Sequence, residues 1–422
     1  MNKNKRLTFF LLTSILNNKI YDEYNDIMGT LKDIYVSTNE GYPKVVGYKV
    51  KNDQGVIDYE FKSINFYQLE NGKINIQIIG SREILPRNYT YLLTVDVLDK
   101  KIVDINGKKV VRVDDLRIAN IADEYRLIAV ETGKAVKYRR MGLEGLGKFL
   151  SNIFRTDFSE RAIMWEDVQA LEASQSNLQI PVSYKRIQEL HPADIADILE
   201  ELDAKERKSV FESLNEDLAA DTLEEVEPKF QGSIIRELSD IKTAELFENI
   251  PNDEIADILD DLSEEDREKV LVNIEKEDAH EIEGLLAYSD ESVGSIMNTD
   301  FISLNYAEMS VGETLLLLRE TQPEEEVMYT IYLTDISGRL VGHVSFSQLL
   351  LNDPIKKLRD VMDDNIITLS YDDKIEEAAE LVEKYALLSI PVIDNDEILI
   401  GSVLMYDVID EFFAPMWKRR NK

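Results

Sequence analysis

Apolar residues recur with a period of twelve between His191 and Leu286. Eight units follow one another without an insertion, from HPADIADILEEL to EKEDAHEIEGLL, and the twelfth position is always apolar. The eighth and ninth positions are apolar in seven units each, so every unit predicts about two turns of amphipathic helix. Helices this short need neighbours, which predicts an all-α superhelical solenoid over 191–290. The expected helix caps are Asp203, Asn215, Ser239 and Ser263.

A second repeat, at an offset of 65 residues, runs through 291–415. Ile296-Met297-Asn298, followed by Ile302-Ser303-Leu304, returns as Val361-Met362-Asp363, followed by Ile367-Thr368-Leu369. Each copy continues with an amphipathic helix, a pair of β-strands and a closing helix. This alternation predicts an α/β pair of domains, followed by a short basic tail at 416–422.

The first 182 residues read as short β-strands separated by turn residues. At an offset of 82, Lys19-Ile20-Tyr21-Asp22 returns as Lys101-Ile102-Val103-Asp104, and Asp33-Ile34 returns as Asp115-Leu116. We therefore expect two similar small β-barrels, over 1–90 and 91–182.

Two apolar segments in this part have two interpretations each. Residues 7–16 follow three bases as in a signal peptide, but no cleavage site follows, which favours a first strand of the folded domain. Residues 141–158 form an amphipathic insertion flanked by Arg139, Arg140, Lys148 and Arg155. We expect the insertion to pack on the second barrel; peripheral contact with an anionic membrane, or docking to a partner helix, is the alternative.

Charge and composition narrow the function. The chain has 422 residues and a net charge of −34, and the block of twelve-residue units alone holds 31 acids and 9 bases. Such a polyanion is an unlikely partner for nucleic acid, and no run of about 18 apolar residues predicts a membrane span. The absence of cysteine excludes disulfides and thiolate chemistry. Carboxylate oxygens remain abundant, and Mg²⁺ or Ca²⁺ prefers them. We expect a cytoplasmic protein.

The acidic repeat and the junction Tyr288-Ser-Asp-Glu-Ser-Val-Gly-Ser-Ile-Met297 resemble the cytosolic N-domain of the MgtE magnesium transporters. The segments around Ile331, Gly342, Pro391 and Asp407 resemble that family's tandem CBS domains. The phrase Gly29-Thr-Leu-Lys-Asp33-Ile34 and the β pattern resemble PRC-barrel domains. In the family, a membrane pore follows the CBS pair; here the sequence ends at Lys422, so we expect no transport by this chain alone.

The resemblance implies an electrostatic mechanism, in which Mg²⁺ holds acidic faces of the N-domain and the CBS pair together. The implied metal ligands are Asp253, Asp257, Asp407, Asp410 and Glu411. Asp253 has a simpler alternative role as an acid in the first turn of a helix, where it favours the helix dipole. The family has two consecutive acids where this chain has Tyr406-Asp407, so one ligand of the pattern is missing.

Adenine nucleotide is the second ligand that the resemblance implies, with Asp407 as the candidate contact. Each ribose signature is broken, however: the first copy, from Gly342 to Gln348, lacks the aspartate, and the second, from Gly401 to Asp407, lacks the threonine. No phosphate loop, nucleophile elbow or HExxH motif predicts an enzyme.

The leading interpretation is a non-enzymatic, Mg²⁺-responsive regulatory or adaptor protein whose PRC-like barrels contact a protein partner. We expect a homodimer through the CBS domains. The alternatives are a protein–protein scaffold without a metal response and a CBS adenine-nucleotide sensor.

Overall fold

The computed structural model describes residues 5–38, 41–69, 72–85, 90–143, 159–171, 184–289, 291–306, 309–323 and 327–409. The chain forms two compact units, Met1–Leu218 and Ala219–Lys422.

The first unit is built on a large β-sheet. The first seven strands are β1 (Lys5–Arg6), β2 (Phe9–Leu11), β3 (Lys19–Tyr21), β4 (Ile27–Ser37), β5 (Lys44–Asn52), β6 (Gly55–Gln68) and β7 (Ile74–Glu83). Strands β3 to β7 pair in the order β5-β6-β7-β3-β4 and return to β5, which closes a ring. Phe66, Ile20 and Leu31 are fully buried within it. This closure leaves the five strands without a free edge.

The next strands are β8 (Thr90–Leu92), β9 (Lys101–Asp104), β10 (Lys109–Arg112), β11 (Asp115–Ile121), β12 (Glu124–Thr132), β13 (Arg161–Met164) and β14 (Val168–Ala170). Strands β11, β12 and β13 extend the large sheet, whereas β10, β9 and β14 form a separate three-stranded sheet in that order. The boundary predicted near residue 90 therefore does not separate two independent sheets.

The two halves of this region exchange their first strands. Strand β2 of the first half pairs with β11 of the second, and β8 of the second half pairs with β4 of the first. A helical turn follows each exchanged strand: α1 (Leu12–Ile15) and the π-helical turn Leu93–Val97. The apolar segment at 7–16 belongs to the fold, since Leu12 and Ile15 are fully buried.

A pair of reciprocal hydrogen-bonded clasps fixes this exchange. Thr94 donates its backbone N–H to Asp33 Oδ1 at 3.0 Å and its hydroxyl to Asp33 Oδ2. Thr13 donates its N–H to Asp115 Oδ1 at 3.1 Å and its hydroxyl to Asp115 Oδ2. Both carboxyl groups are buried, and burial raises the pKa of each.

The bases near the predicted insertion are paired with acids. Helix α2 (Lys134–Arg140) places Arg139 between Glu131 and Glu160, and Arg140 makes two 2.8 Å hydrogen bonds to Asp99. These two arginines are therefore neutralised within the protein, which removes part of the electrostatic argument for membrane contact. The insertion at 141–158, with Lys148 and Arg155, lies outside the described residues from 144 onward.

The twelve-residue frame is confirmed as a frame of helices. They are α3 (Pro192–Glu201), α4 (Ala204–Phe211), α5 (Glu216–Glu225), α6 (Pro228–Glu237), α7 (Asp240–Phe247), α8 (Asn252–Asp260), α9 (Glu264–Asn273) and α10 (Lys276–Leu285). Each begins twelve residues after the one before it. The four predicted caps accept hydrogen bonds from the first turn that follows them. In the second unit, α7 packs against α9 and α8 against α10.

The remainder of the second unit is a duplicated α/β fold. Strands β15 (Ile302–Asn305), β16 (Thr330–Thr334) and β17 (Leu340–Ser345) form one sheet, and β18 (Leu369–Ser370), β19 (Ser389–Ile393) and β20 (Leu399–Leu404) form the other. Both sheets have a parallel pair followed by an antiparallel pair. The helices are α11 (Val311–Thr321), α12 (Phe346–Leu351) and α13 (Ile375–Tyr385).

The two copies of this fold approach each other at paired glycines. A Cβ atom on Gly342 would lie 2.9 Å from Met362 Sδ, and one on Gly401 would lie 2.9 Å from Met297 Sδ. The Met297 and Met362 segments, which carry the 65-residue repeat, therefore each lie against the other copy.

Candidate functional site

Helix α8 brings acidic residues from the helical repeat to the duplicated α/β fold. It starts after Pro251, and Ile255, Ala256, Ile258 and Leu259 bury its apolar face. Asp253 and Glu254 lie in the first turn, where an acid normally gains from the helix dipole.

Asp253 is held in an environment that disfavours its charge. Its Oδ1 atom is buried and has no hydrogen-bond partner. Burial raises the pKa of Asp253 to about 8, and repulsion from Glu254, Asp407 and Asp300 adds to the effect. These two effects oppose the gain that a first-turn acid makes from the helix dipole.

The neighbouring acids come from both copies of the α/β fold. Asp407 lies in the helical segment 405–409 after β20, and its Oδ2 accepts the Leu404 N–H at 3.0 Å. Asp300 precedes β15. Loss of water around its carboxyl group raises the pKa of Asp300, although the residue as a whole is exposed. Repulsion from Glu281 and Asp278 of α10 raises this pKa further.

The structure thus brings together two of the five predicted ligands, Asp253 and Asp407. Asp257 lies one turn further along α8 and is exposed. Asp410 and Glu411 lie outside the described residues. Sequence reasoning missed Glu254, Asp278, Glu281 and Asp300. Glu254 could have been found next to Asp253, but no periodic pattern marks the other three.

The acids suit a hydrated divalent cation better than a fully protein-bound one. Within the described ranges, no group of three or more Asp, Glu or His side chains is placed to hold a metal ion. Mg²⁺ keeps several of its waters and takes one or two carboxylates. The unpartnered Oδ1 of Asp253 fits that requirement, because a cation would supply the partner that the protein does not.

A comparison within the chain shows that Asp253 is not needed to build its helix. Sixty residues earlier, α3 has almost the same sequence, with Ala193 at the position of Asp253 and Asp194 at that of Glu254. Asp194 forms an ion pair with Lys108 Nζ at 2.6 Å. The equivalent turn of α8 is instead surrounded by the carboxylates that raise the pKa of Asp253.

A cavity of about 470 Å³ lies between β15 and α11 in the first copy of the α/β fold. Its polar lining includes Asp300, Ser303 and Thr321, and its apolar lining includes Ile302 and Leu318. Asp407, the predicted nucleotide contact, does not line it. The volume is in the range of small-molecule sites.

The predicted family resemblance is confirmed by comparison with known proteins. Residues 190–291 match the family model of the MgtE intracellular N domain, residues 358–414 that of the CBS domain, and residues 7–83 that of the PRC-barrel domain. PRC-barrel, MgtE N-domain and CBS folds are therefore combined in this chain.

The magnesium transporter MgtE of Enterococcus faecalis is 34% identical over 134 residues, which are 32% of this chain and 29% of the transporter. That of Thermus thermophilus is 32% identical over 130 residues, 31% of this chain and 29% of the transporter. The crystal structure of the cytosolic domain of the Mg²⁺ channel MgtE in complex with ATP is 28% identical, with a TM-score of 0.52, and covers 54% of this chain and 93% of that domain. The match thus spans less than a third of each transporter.

None of the three matched family models describes an enzyme. Two weaker relatives are enzymes: an inosine-5'-monophosphate dehydrogenase of Methanocaldococcus jannaschii and a homoserine O-acetyltransferase of Methanohalobium evestigatum, each 28% identical over about a quarter of the enzyme. In the part of the chain that the structure describes, no helix has the length and apolar character needed to span a membrane.

Proposed function

We propose that this chain is a regulatory or adaptor protein that responds to Mg²⁺ through the acidic face between α8 and the CBS pair. The observation that supports this most strongly is Asp253, whose buried Oδ1 lacks a partner and whose charge is opposed by Asp407. The similarity to MgtE transporters supports the choice of Mg²⁺ and a cytoplasmic location.

Electrostatics supply the proposed response. Two unit charges about 4 Å apart repel by about 1 kcal/mol in water and about 4 kcal/mol at an effective dielectric constant of 20. Burial and repulsion from Glu254 and Asp407 raise the pKa of Asp253 to about 8. At neutral pH, contact between the helical domain and the CBS pair therefore requires either this repulsion or the uptake of a proton, and both oppose it. A cation held by Asp253 and Asp407 would remove that repulsion; Asp257, Asp410 and Glu411 are further proposed ligands. Cation binding shifts the protein towards the state with contact because it favours that state alone.

An adenine-nucleotide sensor is the second candidate, and the cavity beside Ser303 and Thr321 favours it. The ATP complex of the similar MgtE cytosolic domain supports the same ligand class. Asp300 lines the cavity and also opposes the charge of Asp253, so we propose that the two ligands would affect each other.

Thermal denaturation separates these candidates. We expect 10 mM MgCl₂ to raise the melting temperature by several degrees more than NaCl of equal ionic strength, because a specific ion stabilises the state that binds it. A rise with ATP in EDTA would support the nucleotide sensor instead. Equal curves in MgCl₂ and NaCl, with no effect of ATP, would leave the scaffold without a ligand response.

We also propose that the chain contains two barrel copies and one helical superhelix, and that it forms a homodimer. The offset of 82 residues and the matching Asp33–Thr94 and Asp115–Thr13 clasps support two interlocked barrel copies. The twelve-residue helix spacing supports one superhelix. Exposed apolar side chains on α11, α12 and α13, among them Leu316, Leu350 and Tyr385, support a CBS-mediated homodimer. We propose that the barrels bind a protein partner.

A further inference from the structure

Residues that come after the barrel region in the sequence place side chains on both edge strands of the small sheet formed by β10, β9 and β14. At the β10 edge, the Val110 N–H donates to Glu201 Oε2 at 2.9 Å. At the β14 edge, Arg186 Nη1 donates to the Val168 carbonyl at 3.2 Å. An edge strand presents unpaired N–H and C=O groups, and here charged side chains take the place of a further strand.

Two ion pairs join the same sheet to α3 and α4, the first two helices of the twelve-residue repeat. Lys108 Nζ lies 2.6 Å from Asp194 Oδ2 of α3, and Lys101 Nζ lies 3.1 Å from Glu206 Oε2 of α4. The Glu206 side chain is only 9% exposed and also accepts the Asp203 N–H as part of a capping box, so its position is fixed. A carboxylate held in this way would remain buried without a counterion if the lysine moved away.

Opposite charges meet at both helices. The first twelve-residue unit contains four acids and no base, and Lys108 of the β9–β10 hairpin faces it, whereas Lys101 faces Glu206 of the second unit. The segment between the barrel region and α3 is also anchored: Tyr184 donates its hydroxyl to the Leu171 carbonyl at 3.1 Å, and Ile187 is fully buried.

We propose that the β9–β10 hairpin is a permanent clamp on α3 and α4, which makes the barrel region and these two helices one rigid body whether or not Mg²⁺ is present. The partner that the hairpin surface binds is thus the start of this chain's own helical domain, α3 and α4. The contrast with α8 supports permanence: the first turn of α3 meets a lysine through Asp194, whereas Asp253 in the first turn of α8 is opposed by Asp407 and Asp300. The proposal does not depend on the cation site.

Spin-label distances test the clamp directly. The chain has no cysteine, so Lys62→Cys on β6 and Lys205→Cys on α4, both exposed, give a unique label pair in the full-length protein. We expect one narrow distance distribution in double electron–electron resonance, unchanged between EDTA and 10 mM MgCl₂. Adding Lys108→Glu and Glu201→Ala should broaden it, and Val110 amide exchange should accelerate at least tenfold. Lys109→Glu, which reverses a neighbouring charge, is the matched control and should keep it narrow.

A charge swap decides the matter if the double substitution unfolds the barrel. Lys108→Glu combined with Asp194→Lys should restore the narrow distribution that Lys108→Glu alone loses. A broad distribution in the otherwise unchanged protein, a distance that changes with Mg²⁺, or a swap that fails to restore it would overturn the clamp. Any of these results would leave the proposed response at Asp253 standing, because that response lies in the second unit.

Discussion

Asp253→Asn is expected to raise the melting temperature in EDTA and to remove most of the additional rise produced by MgCl₂. The substitution keeps the shape of the side chain but removes a carboxyl group whose ionisation is opposed by burial and by Glu254, Asp407 and Asp300. Relieving a buried unpaired charge is worth about 1–3 kcal/mol, or roughly 2–4 °C per kcal/mol for a unit of this size. The variant should therefore melt several degrees above the unchanged protein in EDTA, with little further response to Mg²⁺.

The stabilising effect of Asp253→Asn should depend on pH in a definite direction. The pKa of Asp253 is raised to about 8, far above its value in the unfolded chain, so the folded state binds the proton more tightly. The stability linked to this proton is complete below about pH 4, falls as pH rises and is lost above about pH 8. In EDTA, the advantage of Asp253→Asn should therefore grow between about pH 4 and about pH 8 and stay constant above that. Mg²⁺ should abolish that growth.

Two further substitutions make the result specific. Asp253→Ala reproduces the residue at the equivalent position of α3, Ala193, and should also fold and lose the Mg²⁺ response. Asp240→Asn changes an exposed acid in the first turn of α7 and should respond to Mg²⁺ like the unchanged protein. If Asp253→Asn and the unchanged protein gave the same curves at every pH, with and without Mg²⁺, Asp253 would carry neither the repulsion nor the cation.

Asp33→Ala is expected to cause the largest loss of stability in the barrel region. Asp33 accepts hydrogen bonds from the Ile34 N–H at 2.7 Å, the Thr94 N–H at 3.0 Å and the Thr94 hydroxyl. Alanine would leave these donors unsatisfied, at about 1–3 kcal/mol for each buried group. We expect a loss of about 3–5 kcal/mol in the free energy of unfolding, measured by urea denaturation.

The reciprocal clasp supplies both the matched test and the control. Asp115→Ala should cost about as much as Asp33→Ala, and the two changes together should prevent the barrel region from folding. Asp33→Asn should cost less, because an amide oxygen still accepts a hydrogen bond and burial already penalises the Asp33 charge. Asp53→Ala, at an exposed position of a turn, should cost less than about 0.5 kcal/mol. A loss this small for Asp33→Ala would contradict the role of the clasp.

The helical frame could be read from the sequence because its signals are local. Helix caps and apolar residues four positions apart act within one or two turns, so each unit predicts its own helix. The caps at Asp203, Ser239 and Ser263 are examples. The β-strands were also recognisable, since alternation depends only on neighbouring residues.

The strand exchange could not be read in the same way. Alternation indicates that Phe9–Leu11 is a strand, but it does not indicate whether the partner is β4 or β11, which have similar sequences. The same limit applies to the acidic face. Asp253 and Asp407 were found through family resemblance, whereas Asp300 is brought close to them only by tertiary packing. The loss of solvation at Asp253, like that at Asp33 and Asp115, is a property of the folded state alone.

Solution scattering of the full-length protein during a Mg²⁺ titration at constant ionic strength tests the central claim most directly. Cation binding at the acidic face is expected to reduce the radius of gyration of the unchanged protein as MgCl₂ replaces NaCl up to about 10 mM. The radius of gyration of the Asp253→Asn variant should stay nearly constant during the titration, because repulsion no longer opposes contact. A radius of gyration that stays the same for the unchanged protein throughout, or that falls equally in Asp253→Asn, would contradict the proposed response.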